Sequence, residues 1–101
     1  MKLSKYFTKE EFEHSNTAIN RGISNVMDSG QTQKAIDLCV NVLDPIREYI
    51  NKSLKLNCGY RSPLVNKAVG GAKASQHILG EAADLIFKTN KHLIGFVITL
   101  S

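Results

Sequence analysis

The chain has 101 residues, 43% apolar and 22% charged, which bounds it to one small globular domain over 1–101. Its formal net charge of +4 permits a polyanionic partner without demanding one. Two prolines and seven glycines exclude a disordered or collagenous chain, and two cysteines are too few for a disulfide scaffold. No apolar run reaches the roughly 20 residues of a membrane span, and the opening MKLSKYFTKEEF lacks the apolar stretch of a signal peptide, so neither feature is expected.

Thr8 followed by Glu11 reads as a capping box, with Phe7 and Phe12 in hydrophobic-staple positions around it. The helix they open is short and ends before Asn16. Residues 17–30 read as a loop, because Asn20, Gly22, Asn25, Asp28 and Gly30 break any period. A long helix is predicted over 29–53, capped by Asp28 or Ser29. Its apolar stripe is Ala35, Cys39, Val42, Ile46 and Tyr49, widened by Ile36, Leu43 and Ile50. Pro45 removes one backbone donor inside that pattern, which predicts a kink near 41–44 or a break into two helices. The apolar phase survives the proline and favours one bent helix.

Leu54, Leu56, Cys58 and Tyr60 alternate with Lys55, Asn57 and Gly59, the pattern of a half-buried strand. Ser62 and Pro63 fit the cap and first position of a short helix over 64–69, ending at Gly70 and Gly71. Residues 73–80 form a polar loop containing His77, 82–87 a compact apolar strand, and 88–92 a turn or helix start. In the final apolar run, 93–100, the β-branched Val97, Ile98 and Thr99 favour a strand. Cys39 and Cys58 fall on the apolar faces of their elements and are expected to be buried reduced thiols.

His77 and Asp84 bracket Gly80, and imidazole nitrogen and carboxylate oxygen both suit a borderline cation such as zinc. The neighbours of Asp84 look buried, and a buried carboxylate needs a partner or a cation. A purely structural hydrogen bond from Ser75 or His77 is the alternative. Arg61, between a strand and a capped turn, either points its fork into a cleft or serves as a surface or paired arginine, with Glu81 as one partner. His14 and His92 read as solvent-facing histidines, and Glu10, Glu11 and Glu13 as charge favourable near a helix N-terminus. No basic stripe, recognition-helix pattern or aromatic platform supports a nucleic-acid partner.

Three segments in order, Gly59-Tyr60-Arg61-Ser62-Pro63, Asn66-Lys67-Ala68-Val69-Gly70-Gly71, and Ser75-Gln76-His77-Ile78-Leu79-Gly80-Glu81-Ala82-Ala83-Asp84, resemble the signature of the peptidase M15 family. The opening 3–12 and the segment 42–47 resemble its small phage and prophage branch, which includes endolysins. The resemblance runs from the N-terminus to about Phe87. It implies an α+β fold, with helices packed on a small, mainly antiparallel sheet. It implies a zinc peptidase of peptidoglycan stem peptides or their cross-links, of D,D-carboxypeptidase, D,D-dipeptidase or endopeptidase type. His77 and Asp84 match the first two zinc ligands, Arg61 the arginine that steadies the substrate carbonyl, and Ser75 a position in the loop of the first ligand that contacts it or the substrate. The implied location is cytoplasmic or phage-associated, with action at the cell wall.

The pattern departs from the family after Asp84. Family members continue into a catalytic Glu and a third ligand His, often near a Trp. Here no acidic residue follows Asp84, and the sole later histidine, His92, lies in a basic turn that does not fit that motif. The chain is therefore expected to be a C-terminally truncated domain lacking its general base and third ligand. An unfinished sheet edge is expected to favour a homo-oligomer through an exposed or swapped C-terminal segment, a route by which His92 or His14 would reach a neighbouring site. The alternative to an active peptidase is an inactive fold that serves as a binding or structural module.

Overall fold

Side-chain caps set the N-terminal elements of the computed structural model, which describes residues 1–100. In α1 (Lys9–Glu13), Thr8 Oγ1 accepts the Glu11 N–H at 3.2 Å and the Glu11 carboxylate accepts the Thr8 N–H at 3.0 Å. Phe7 and Phe12 are both buried, as a staple requires. The stretch expected to be a loop begins instead with a second helix, α2 (Asn16–Arg21). Ser15 explains it: its hydroxyl accepts the Ala18 N–H at 3.1 Å, a cap that outweighs the weak propensities behind it.

The long helix is one bent body. It comprises α3 (Ser29–Leu38), a π-helical turn at Cys39–Leu43, and α4 (Asp44–Ile50). The wide turn sits where Pro45 supplies no N–H, and the Asp44 N–H reaches back to the Cys39 carbonyl. The helix stops at Asn51, in the left-handed region at φ +54°, two residues before the expected end. Buried Asp44 ties the N-terminus to this bend, accepting from Ser4 Oγ at 2.8 Å and the Lys5 N–H at 3.1 Å.

The sheet has three antiparallel strands in the order β1 (Lys55–Cys58), β2 (Ala82–Lys88), β3 (Leu93–Thr99). The expected α+β architecture is thus present. Between β1 and β2 lie α5 (Pro63–Ala68), capped by Ser62, and a 3₁₀ turn at Gln76–Leu79 where the sequence predicted only a loop. Ser75 starts that turn by accepting the His77 N–H at 3.3 Å.

Strand alternation gives the sheet two unlike faces. Ala83, Leu85 and Phe87, with Phe96 and Ile98 across from β3, pack on the helices around Phe7, Phe12, Leu38 and Leu43. Phe87 and Phe96 meet edge to face, with ring centroids 6.1 Å apart. The opposite face carries Asp84 and Ile86, paired with Val97 and Gly95. One irregularity breaks the β1–β2 register: Leu56 pairs with Leu85, yet Cys58 pairs with Asp84. Asn57 is the extra residue of a β-bulge.

Candidate metal centre

His77 is placed by the backbone on both sides. Its carbonyl accepts the Arg61 N–H at 3.1 Å, and its Nδ1 lies 2.5 Å from the Gly59 carbonyl oxygen. A carbonyl only accepts, so Nδ1 carries the proton and Nε2 is the free ring nitrogen. Gly80 makes the approach feasible. It holds φ at +76°, and a Cβ there would stand 2.5 Å from the Gln31 carbonyl oxygen. The turn can therefore lie against α3, where Gln31 Nε2 also donates to the Ile78 carbonyl at 3.1 Å.

Asp84 arrives from β2. Its Oδ1 lies 3.2 Å from His77 Nε2, with the His77 side chain 8% exposed and the Asp84 side chain 35% exposed. The predicted convergence of these two residues is therefore present. The expectation that Asp84 is buried among apolar neighbours is corrected: it alternates away from Ala83 and Leu85, onto the face that opens to a cleft. With Nδ1 protonated, Nε2 and Oδ1 are two acceptors facing one another. A proton or a metal cation must lie between them for the contact to be attractive.

The third member of the cluster is Cys58. One donor atom each from Cys58, His77 and Asp84 lie within 4.8 Å of one another, and Cys58 Sγ is 3.8 Å from His77 Nδ1. Cys58 is half-buried, not the core thiol expected from strand alternation. The bulge is the reason, because it shifts Cys58 opposite Asp84. Burial pushes the Cys58 thiol pKa up; the Arg61 cation pulls it down and the Asp84 charge raises it again. Cys39, by contrast, is fully buried, as predicted.

A cavity of about 290 Å³ opens in front of Cys58 and Asp84, between the start of α2, α5 and the strands, with His77 behind its wall. Its wall includes His14, Asn57, Cys58, Arg61, Val69 and Asp84. Arg61 thus faces the cleft, with Nη2 3.4 Å from Ser75 Oγ and Nε buried without a partner among the described residues. Glu81 is not its mate; it lies 3.7 Å from Lys34 Nζ. His14 is exposed as expected, but on the cleft wall. His92 lies in the turn beyond Lys88, about 13 Å along β2 from Asp84 at the usual rise per residue.

A family model described as Peptidase M15 matches residues 5–94. The chain belongs to the peptidase M15 family. A comparison with curated proteins found no match. M15 membership makes this a metallopeptidase-family domain, and its donor set fits a zinc ion: imidazole nitrogen, carboxylate oxygen and thiolate sulfur are all ligands zinc accepts. The carbonyl partner on His77 Nδ1 is the outer-shell contact that commonly orients a ligating histidine. No helix among the described residues of this M15 domain is long and apolar enough to cross a membrane.

Proposed function

We propose that the chain is a zinc-dependent peptidase domain of the small phage-type M15 branch, acting on peptidoglycan stem peptides or their cross-links. The observation that carries the reading is the His77 Nε2–Asp84 Oδ1 approach at 3.2 Å, with the other ring nitrogen committed to Gly59. His77 would hold zinc through Nε2 and Asp84 through its carboxylate. Zinc, when bound, supplies a Lewis acid that polarises a peptide carbonyl and acidifies water.

The remaining roles fall to the cleft wall. Arg61 presents a rigid cationic fork beside Cys58 and Asp84, suited to the carboxylate or the developing oxyanion of a peptide substrate. Ser75 holds the turn of the first ligand, since its hydroxyl accepts the His77 N–H and lies against Arg61. In this reading Ser75 orients Arg61 toward the substrate.

One observation favours a second reading. Among the described residues lining the cleft, Asp84 is the sole carboxylate, so a separate general base has no candidate there. A domain with the metal centre and Arg61 but no base would bind peptidoglycan peptides without cleaving them. Incubation of the protein and zinc with purified muropeptides, followed by chromatography and mass spectrometry, separates the two readings. Zinc-dependent release of D-alanine or cleavage of cross-links, lost in Asp84→Ala, supports the peptidase. Zinc-dependent retention on peptidoglycan without new fragments supports the binding module. Neither cleavage nor retention refutes both.

A further inference from the structure

We propose that Cys58 is itself a metal ligand, so that the ion is held by one sulfur, one nitrogen and one oxygen. The proposal rests on His77 and Asp84 being ligands, and adds the residue that no motif of the chain points to. Three independent features converge on it.

The first is the backbone. In an unbroken antiparallel ladder continuing from Leu56–Leu85, Asn57 would stand opposite Asp84, and Cys58 would face the helices beside Ala83. The extra residue instead makes Cys58 the cross-strand partner of Asp84, which puts sulfur and carboxylate on one face. Bulges recur beside functional sites for this re-aiming of a side chain.

The second is distance. Zinc–sulfur bonds of about 2.3 Å and zinc–nitrogen or zinc–oxygen bonds of about 2.0–2.2 Å place tetrahedral donors roughly 3.3–3.6 Å apart. One ligand atom from each residue lies within 4.8 Å of the other two, and Sγ, 3.8 Å from His77 Nδ1, must swing toward the Nε2 side to complete the set. His77 is pinned by its two backbone contacts, and strand pairing holds the backbones of Cys58 and Asp84, so the adjustment falls to rotation of the Cys58 and Asp84 side chains.

The third is chemistry. Two neutral or singly charged ligands hold zinc weakly, whereas a thiolate adds a soft, anionic donor that zinc favours. Cation binding displaces the thiol proton, so the sulfur would coordinate as a thiolate. Three protein ligands with a remaining open position match the pattern of reactive zinc sites.

Cobalt(II) substitution tests this directly. Cobalt titrated into the whole chain under reducing conditions is expected to give visible d–d bands and a near-ultraviolet sulfur-to-cobalt charge-transfer band. Cys58→Ser should keep the d–d bands, lose the charge-transfer band, and bind zinc roughly 10- to 100-fold more weakly in competition with a chromophoric chelator, the scale on which even outer-shell partners act. Zinc should also protect Cys58 from alkylation, read by peptide mass mapping, a readout that needs no variant to fold. Histidine-dependent d–d bands without the charge-transfer band would overturn the thiolate ligand and leave the His77–Asp84 centre standing. Absence of cobalt and zinc binding altogether would overturn both.

Discussion

The Gly59 carbonyl oxygen and His77 Nδ1 stand 2.5 Å apart, and that contact decides which ring nitrogen faces Asp84. Gly59 can hold this position because it has no side chain. A Cβ there would lie 2.7 Å from Phe12 Cδ2 and 2.9 Å from Phe12 Cα, against the backbone of α1. Gly59→Ala is expected to cost about 1–3 kcal/mol through overpacking. It should also weaken zinc binding by moving the carbonyl that orients His77. Urea denaturation and a zinc titration on the same variant check the pair; unchanged affinity in a destabilised protein would show that Gly59 serves packing alone.

Zinc should stabilise the folded chain, because the unfolded chain does not hold His77 and Asp84 together. Free zinc at about 100 times its Kd is expected to add about 2.7 kcal/mol, a rise in Tm of roughly 10–20 °C for a domain of this size. Scanning calorimetry with zinc and with chelator measures it. His77→Ala and Asp84→Ala should abolish the rise; an equal rise in both variants would place the ion elsewhere.

Arg61→Lys should separate recognition from folding. The guanidinium makes one long contact, to Ser75 Oγ at 3.4 Å, and buries an Nε with no partner among the described residues. Lysine keeps the charge and loses the planar fork. Stability is expected to change by less than about 1 kcal/mol, while binding of a muropeptide weakens by about 1.5–3 kcal/mol, the range for hydrogen bonds to charged groups. Denaturation and calorimetric titration supply the two numbers, and equal losses in both would assign Arg61 a structural role.

Cys39 makes stability fall in alkali. Burial pushes its thiol from the ordinary value of 9.0 up to about 12, with the Asp44 charge adding to the rise. Since the folded pKa is the higher one, this contribution is complete below about pH 9 and is lost as pH climbs toward 12. Each pH unit in that window should remove at most about 1.4 kcal/mol. Subtracting the profile of Cys39→Ala from that of the wild type isolates the effect, since Cys58 ionises in both proteins. A flat difference would contradict the assignment.

β3 is proposed to pair between chains. It lies at the end of the strand order, and Leu93 and Val97 on its outer face are 63% and 61% exposed. Unpaired backbone beside exposed apolar side chains invites strand pairing. Light scattering over a concentration series should show mass rising toward a dimer, and Val97→Lys should hold the chain monomeric. A mass independent of concentration in the wild type would end the proposal.

Local chemistry alone determined much of this molecule. The capping box at Thr8, the bent helix through Pro45 and the two strands around His77 follow from caps and period, and the approach of His77 to Asp84 is expected from the glycine between them together with the family resemblance. The caps, the bend and the strand periods are short-range effects, whereas the approach itself also needs Gly59 and Arg61 to hold His77. The second helix at Asn16 was also locally encoded, in the Ser15 cap, but weak propensity masked it. Tertiary structure alone decided the third donor. Alternation from Leu54 to Tyr60 assigns Cys58 to the core, and only pairing with β2 inserts the bulge that turns it toward Asp84. The exposure of Asp84 was likewise hidden, because Ala83, Leu85 and Ile86 make its strand read as buried on both faces. Which face is covered depends on where the helices pack, a long-range outcome that no window along the chain contains.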